Sequence, residues 1–211
     1  ALCLAAGAAV PARAAFQSVF HSGRTATLGG AILAAAPEAS AIFVNPAGLG
    51  GVKAPEAYFT YIRPYAGIDA DGELGIGSMA AALPTKLGTF GAGLGTFMAS
   101  GLKQERTVAL GFARDLAERA QLGATARFLH HSHSIGSDPR AQRDPVFAKG
   151  TSRAAFALDL GIAGTLREPL KGAFAVRNLN RPDVGLASED RVPLEAEGGV
   201  ALDLPERGLK L

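Results

Sequence analysis

Apolar residues alternate with small or polar residues along most of the chain, from about residue 55 onward. Between Arg153 and Gly164 one set of alternate positions holds alanine, phenylalanine, leucine or isoleucine, and the other holds mainly small residues. Successive side chains of a strand point to opposite faces, so this period of two predicts half-buried strands. The predicted strands are 56–65, 74–84, 87–99, 106–115, 120–133, 151–166, 172–180 and 194–204. A ninth strand begins at Gly208.

The residues on the second face favour one of two folds. Alternation alone fits both a soluble β-sandwich and a membrane barrel. A solvated sheet face usually carries many Lys, Glu and Thr residues, whereas here the second face carries glycine, alanine and an occasional Arg or Asp. Small residues suit the crowded interior of a barrel. The composition agrees, with 27 glycines and only 19% charged residues, against about 25% in an average soluble domain.

The predicted connections between strands are alternately short and long. The short ones are 84–86, 116–119, 167–171 and 205–207, and the long ones are 66–73, 100–105, 134–150 and 181–193. Outer-membrane barrels have short periplasmic turns and long external loops, and every short turn falls on one side. We therefore predict an all-β fold, an antiparallel up-and-down transmembrane β-barrel. One usual sign, the aromatic girdle, is weak, since the only tyrosines are Tyr58, Tyr61 and Tyr65.

The amino end predicts secretion. An apolar run, Ala1 to Val10, leads to Ala12-Arg13-Ala14, a cleavage pattern of signal peptides. We expect residues 1–14 to be the remnant of a signal peptide and Ala15 the mature start; the alternative is a short buried helix. The charged start is missing and the last strand stops in mid-element, so we expect a fragment that is cut at both ends.

The single cysteine, Cys3, excludes a disulfide framework. The apolar segments after the signal are too short or too interrupted for a membrane helix. A secreted chain of this kind is periplasmic, extracellular or located in the outer membrane. The formal net charge of +2 is too weak to indicate nucleic-acid binding.

The segment before the first strand, residues 15–54, carries a distinctive turn. Asn45 precedes a proline and is therefore expected to be extended. A short helix that begins at Pro46, with Asn45 as its N-cap, fits the preferences of both residues. Gly48 allows a tight backbone.

Residues 26–49 resemble the FadL-like outer-membrane protein superfamily, including its PorV/PorQ-type branch. Members open with a glycine-containing stretch of small residues, continue with an acidic-Ala-Ser-Ala-aromatic run and end in Asn-Pro-Ala-Gly-Leu. The likeness is specific from Ala39 to Leu49 and ends in the motif Asn45, Pro46, Ala47, Gly48 and Leu49. Pro37-Glu38 replaces the two aspartates usual before Ala-Ser, so a role that needs both carboxylates does not carry over.

The resemblance implies a barrel of about 14 strands, of which residues 55–211 supply eight or nine, with residues 15–54 as a hatch in the lumen. It implies a non-enzymatic protein of the Gram-negative outer membrane with one of two functions. One is the passage of hydrophobic small molecules, and the other is a part in protein secretion of the type IX kind, with secreted proteins as partners. Outer-membrane lipid surrounds such a barrel. A secreted soluble β-rich surface module remains the alternative.

Four charged residues on the small-residue face are candidate luminal polar residues: Arg127, Asp159, Arg177 and Asp203. Asp159 and Arg177 fall opposite one another if the turn between their strands is centred near Glu168. A charge inside a barrel needs a partner or water. We therefore expect these two residues to form a luminal pair that holds the register, and a polar position on a ligand path is the other interpretation.

Histidines cluster at His130, His131 and His133. His131 and His133 share one face of a strand, so two imidazoles could meet a metal ion. No cysteine or paired carboxylate completes the site, and the adjacent serines do not have the geometry of a catalytic triad. We interpret the cluster as a polar strand end that enters a solvated loop. No catalytic residue, metal or cofactor is predicted.

The glycine-rich run Gly91 to Gly95 is not a phosphate-binding loop. It lacks the Lys-Ser/Thr that follows the glycines in that motif and lies inside a strand pattern. We expect its glycines to face the crowded lumen or the hatch.

Overall fold

The computed structural model describes Phe16 and residues 32–34, 38–64, 74–99, 101–204 and 209–210. The predicted signal-peptide remnant and Ala15 lie outside these residues, and so do the side chains of residues 203, 204, 209 and 210.

Antiparallel strands follow one another in sequence order in a single sheet, which confirms the predicted all-β, up-and-down arrangement. Eight are long, and a two-residue ninth pairs with the eighth. They are β1 (Glu56–Ile62), β2 (Leu74–Thr85), β3 (Gly88–Ala99), β4 (Lys103–Ala117), β5 (Ala120–His133), β6 (Ser152–Arg167), β7 (Leu170–Arg177), β8 (Glu195–Leu204) and β9 (Leu209–Lys210). Within the described residues the sheet is open, with β1 and β9 at its edges.

One connection is shorter than predicted. β4 begins at Lys103, so β3 and β4 are joined by residues 100–102 alone, and the long loop expected at 100–105 is wrong. Gly101 adopts a φ of +67°, which glycine reaches without strain, in a turn closed by the hydrogen bond from Leu102 N to Ala99 O at 2.8 Å. The charged run after this turn continues the strand, as the pairing of Lys103 with Ala99 and of Glu105 with Phe97 shows. The alternation of short and long connections is therefore incomplete.

The two faces of the sheet differ in what lies against them. In β6, Ala157, Asp159 and Gly161 are buried, whereas the intervening Leu158 and Leu160 are about half exposed. The same alternation runs through β5. We call the face that holds the buried small residues the covered face and the face that holds the large apolar residues the uncovered face.

Residues 38–52, called the plug, cover much of the covered face. They contain a four-residue helix, α1 (Ala41–Val44), and a 3₁₀ helix (Pro46–Gly51). Ile42 and Leu49 are fully buried and form a core cluster with small residues of β2 and β4. The hydrophobic core therefore lies between the plug and one face of the sheet. Among the described residues, no helix has the length and apolar character needed to cross a membrane.

Candidate functional site

The covered face has room for the plug because glycines stand where the plug approaches. A Cβ on Gly91 would lie 2.9 Å from Leu49 Cδ1, and one on Gly93 would lie 2.6 Å from Phe43 Cζ. Both distances are below any normal contact of a Cβ. Gly91 and Gly93 of β3 therefore face the plug, and their lack of side chains lets the side chains of the plug approach the sheet.

The second half of the plug lies even closer to the sheet. A Cβ on Gly123 of β5 would collide with the backbone of Pro46 and Ala47. A Cβ on Gly161 of β6 would collide with the side-chain oxygen of Asn45. The atoms of Pro46 and Ala47 that a Cβ on Gly123 would meet belong to the backbone, so a rotamer change could not relieve the collision.

Asn45 joins the two helical turns of the plug. It is extended, with φ −146° and ψ 102°, and its side chain caps the 3₁₀ helix by accepting from Ala47 N at 3.1 Å. Its amide also donates to the carbonyls of Leu33 and Ile162, at 3.3 and 3.4 Å. Of the motif, Pro46, Ala47 and Leu49 are buried and Gly48 is partly exposed. The motif thus forms the turn that docks the plug on β5 and β6.

A carboxylate that the sequence did not single out meets the start of the plug. Ala39 N donates to the Glu56 carboxylate at the start of β1, and the Ser40 hydroxyl donates to Glu38. Two carboxylates therefore gather at Ala39 and Ser40, although only one of them, Glu38, belongs to the resembling segment. Glu56 could not be found from the motif, because the fold brings it there.

Arg127 and Asp159 form a buried ion pair in the middle of the covered face. The guanidinium binds the carboxylate twice, from Nε to Oδ2 at 2.6 Å and from Nη2 to Oδ1 at 2.8 Å. Asn178 joins them, accepting from Arg127 Nη2 at 2.6 Å and donating its backbone N–H to Asp159 Oδ1 at 2.9 Å. All three residues are at most 7% exposed. Removing one partner of such a pair leaves a buried charge uncompensated.

Arg177 belongs to a second network. Its guanidinium binds Glu195 Oε2 at 2.8 and 3.0 Å, Glu197 Oε1 at 2.7 Å and the plug carbonyl of Val44 at 3.3 Å. The expected direct pair between Asp159 and Arg177 is therefore wrong, although both are buried on the covered face.

The register does not exclude the expected pair, because Leu160 pairs with Val176 and the next two residues along these strands are Asp159 and Arg177. Each of the two has another partner within reach. Glu195 is directly opposite Arg177 across β7 and β8, whereas Asp159 lies diagonally across from Arg127 in β5 and β6. Both relations bring long side chains within reach. The spacing of Glu195 and Glu197 in the sequence indicates that they share one face of β8, but it does not indicate that Arg177 is their partner. The side chain of Asp203 lies outside the described residues.

His131 is buried instead of forming a solvated strand end. It is 5% exposed, and its Nε2 lies 2.7 Å from the carbonyl of Val184. Its ring meets that of His133 edge-on, with the centroids 5.2 Å apart. In the part of the chain that the structure describes, no group of three or more potential ligands could hold a metal ion. The interpretation of a polar strand end entering a loop missed the residues that cover His131.

Open space is distributed unevenly between the two faces. A pocket beside the plug, lined by residues that include Ser40, Asn45 and Gly48, holds about 10 Å³. An open apolar groove of about 1100 Å³ crosses the uncovered face from β1 to β6, with Ala92, Leu110 and Leu158 among its walls.

No family model matches the chain. Searches of curated proteins and of solved structures likewise found no match. The site is therefore interpreted from its own geometry, which holds a docked plug and two ion-pair networks.

Proposed function

We propose that the chain forms part of the wall of a non-enzymatic outer-membrane β-barrel of the FadL/PorV type. The observation that carries the proposal is the contrast between the two faces of one sheet. The uncovered face presents large apolar side chains, with Phe156 and Val200 each 67% exposed. The covered face is packed with small residues, ion pairs and the chain's own plug. This is the arrangement expected of strands with lipid on one side and a filled lumen on the other.

The extent of the apolar surface supports lipid as its neighbour. Each strand from β1 to β8 carries at least one exposed phenylalanine, leucine or valine side chain. Soluble monomers rarely expose continuous apolar patches larger than a few hundred Å². The strands β2 to β6 have 12 to 16 residues, enough for the roughly 9–11 residues with which a tilted strand crosses a bilayer.

Of the two functions that the resemblance implies, the geometry favours the protein-secretion one. Passage of a hydrophobic compound needs a luminal pocket beside the plug and a gap in the wall. The pocket beside the plug holds only about 10 Å³. In β2 to β6 the register shifts occur at the turn ends, between Asp115 and Ala117 and between Thr165 and Arg167, away from the middle of the wall. Continuous pairing over these described strands, together with the docked plug, suits a component that binds proteins.

Fractionation of cells that carry the full-length protein tests the barrel itself. We expect the protein in the outer-membrane fraction, released only by detergent, and we expect its gel migration to change on heating. Release of the protein by salt or carbonate without detergent would reject the barrel and favour the soluble surface module.

A deletion strain then separates the two functions. Loss of a secretion component should deplete specific proteins from the medium while uptake of radiolabelled oleate stays normal. The reverse result, lower oleate uptake with an unchanged set of secreted proteins, would favour passage of hydrophobic compounds. Complementation by the wild-type protein is the control for both measurements.

A further inference from the structure

Residues 178–193, called the strap, connect β7 to β8 and lie on the covered face. Val184 and Val192 are 2% and 3% exposed and form a cluster with Leu129 and Ala157, which are fully buried. The long connection between β5 and β6, residues 134–151, contains no buried residue. Length alone therefore does not make a connection fold onto the sheet. The strap packs on the sheet because it has apolar residues that face it.

The strap keeps its shape through bonds within itself. Val184 N donates to Asp190 O at 2.9 Å, and Asp183 pairs with Arg191 in an antiparallel bridge. The Asp183 carboxylate accepts from the backbone N–H groups of Gly185 and Asp190, at 2.9 and 2.8 Å. These two donors hold the pKa of the Asp183 carboxyl below its usual value. The strap is therefore a small folded unit.

Side chains at two points fix the strap to the sheet and to its own start. The His131 ring lies with Nε2 at 2.7 Å from the carbonyl of Val184. The side-chain amide of Asn178 donates to the carbonyl of Pro193 at 2.8 Å. The strap is thus held both at its apolar tip and across its base.

The strap and the plug cover different parts of one strand. Along β5, Gly123 lies under the plug, Arg127 belongs to the buried ion pair, and Leu129 and His131 lie under the strap. The apolar cluster of the plug and that of the strap have no residue in common. The Arg127–Asp159 pair lies between the two coverings.

We propose that the strap is a second closure of the covered face, in series with the plug and able to open independently of it. The proposal rests on the proposed barrel, because only a lumen can be closed twice in series. The plug covers the side of the short turns, and the strap covers the side of the β5–β6 loop. Any solute crossing the lumen would have to pass both closures, so one intact closure suffices to block it.

Two buried alanines report on the closures separately. Ala157 under the strap and Ala113 under the plug are both fully buried, and each is changed to cysteine in full-length protein that carries no other cysteine after processing. The strap is loosened by V184D/V192D, the plug by I42D/L49D, and Val146→Asp in the exposed β5–β6 loop is the control. Reaction with a bulky maleimide is followed on purified protein in detergent.

We expect the Ala157→Cys thiol to react only when the strap is loosened, and the Ala113→Cys thiol only when the plug is loosened. Reaction of both thiols in either variant would show one cooperative covering and overturn the proposal. So would reaction of the Ala157→Cys thiol with the strap unchanged. If V184D/V192D fails to fold, Val192→Ala takes its place and should raise the Ala157→Cys rate alone.

Potassium conductance in planar lipid bilayers tests the series arrangement. A closed element is open in at most roughly 10% of molecules, so a variant with both elements loosened should conduct at least about tenfold more than either single variant. A combined variant that conducts no more than the plug variant would overturn the proposal. The labelling experiment does not depend on lipid. Extraction of the protein without detergent would therefore reject the barrel, whereas the labelling experiment would still test whether the strap opens independently of the plug.

Discussion

The two faces of the sheet are built from the same alternating strands but differ in the size and charge of their side chains. On the uncovered face, the side chains of Phe156 and Leu160 are 67% and 47% exposed. On the covered face, Gly123 and Gly161 leave no room for even a Cβ, and Arg127 is held by bonds from two side chains. The comparison shows that side-chain volume on each face follows from what lies against it. Where chain lies against the sheet, small residues and matched charges are needed.

The largest effect is expected from breaking the buried ion pair of the covered face. Asp159→Ala leaves the Arg127 guanidinium without its bidentate partner and should cost about 3–5 kcal/mol of unfolding free energy. Asp115→Ala, at the exposed end of β4, is the matched control and should cost little. Urea unfolding of the full-length protein in detergent measures both variants. Equal midpoints for the two would show that the covered face does not depend on its charges.

The uncovered face is tested by a charge placed in its middle. Leu160→Lys should cost roughly 2–4 kcal/mol if the position meets the bilayer core, because a lysine there loses its water. Val146→Lys in the β5–β6 loop starts from nearly the same exposure, 46% against 47%, and should be neutral. Folding into lipid vesicles measures the difference. If Leu160→Lys is equally neutral, the uncovered face meets water, and the comparison with a lumen fails.

A methyl group distinguishes the faces more finely. Gly123→Ala places a Cβ against the backbone of the plug and should cost about 1–3 kcal/mol through overpacking. Gly198→Ala in β8 meets only ordinary contacts, the nearest with Phe174 Cδ2 at 3.8 Å, and is the control. The two variants are compared by thermal unfolding, and proteolysis of the plug is the second measurement. A tolerated Gly123→Ala would mean that the plug docks less closely than described.

The strands could be predicted well because alternation is a local property. The limits of the eight long strands differ from the predicted ones by at most three residues. The largest differences lie at the ends of β1 and β7 and at the start of β4. There Lys103, Gln104 and Glu105 look like loop residues, but pairing with β3 carries them into the strand. Charged residues make the end of a strand hard to predict, because the solvent-exposed end of a strand tolerates charges as well as a loop does.

The site was less predictable, because its contacts join distant parts of the chain. The turn at Asn45 followed from the preferences of Asn and Pro, which act within a few residues. Arg177 binds a partner that is 18 positions away in the chain, so the pair depends on the register between β7 and β8. Residues 181–193 of the strap were predicted only as a loop, since the residues between Val184 and Val192 show neither strand nor helix periodicity. The role of its two valines can be seen only in the structure, where they pack on Leu129.

The smallest effect concerns the strap, whose base contains a residue in an unusual conformation. Arg181 has a φ of 46°, in the left-handed region where a side chain costs about 1–2 kcal/mol and glycine does not. Arg181→Gly relieves this strain but adds freedom to the unfolded chain, whereas Arg181→Ala keeps the strain. We therefore expect the glycine variant to be more stable than the alanine variant by about 1 kcal/mol. Hydrogen exchange of the Val184 and Val192 amides measures the difference locally. If the strap closes independently, protection should change there while amides of the plug keep the same exchange rates in both variants.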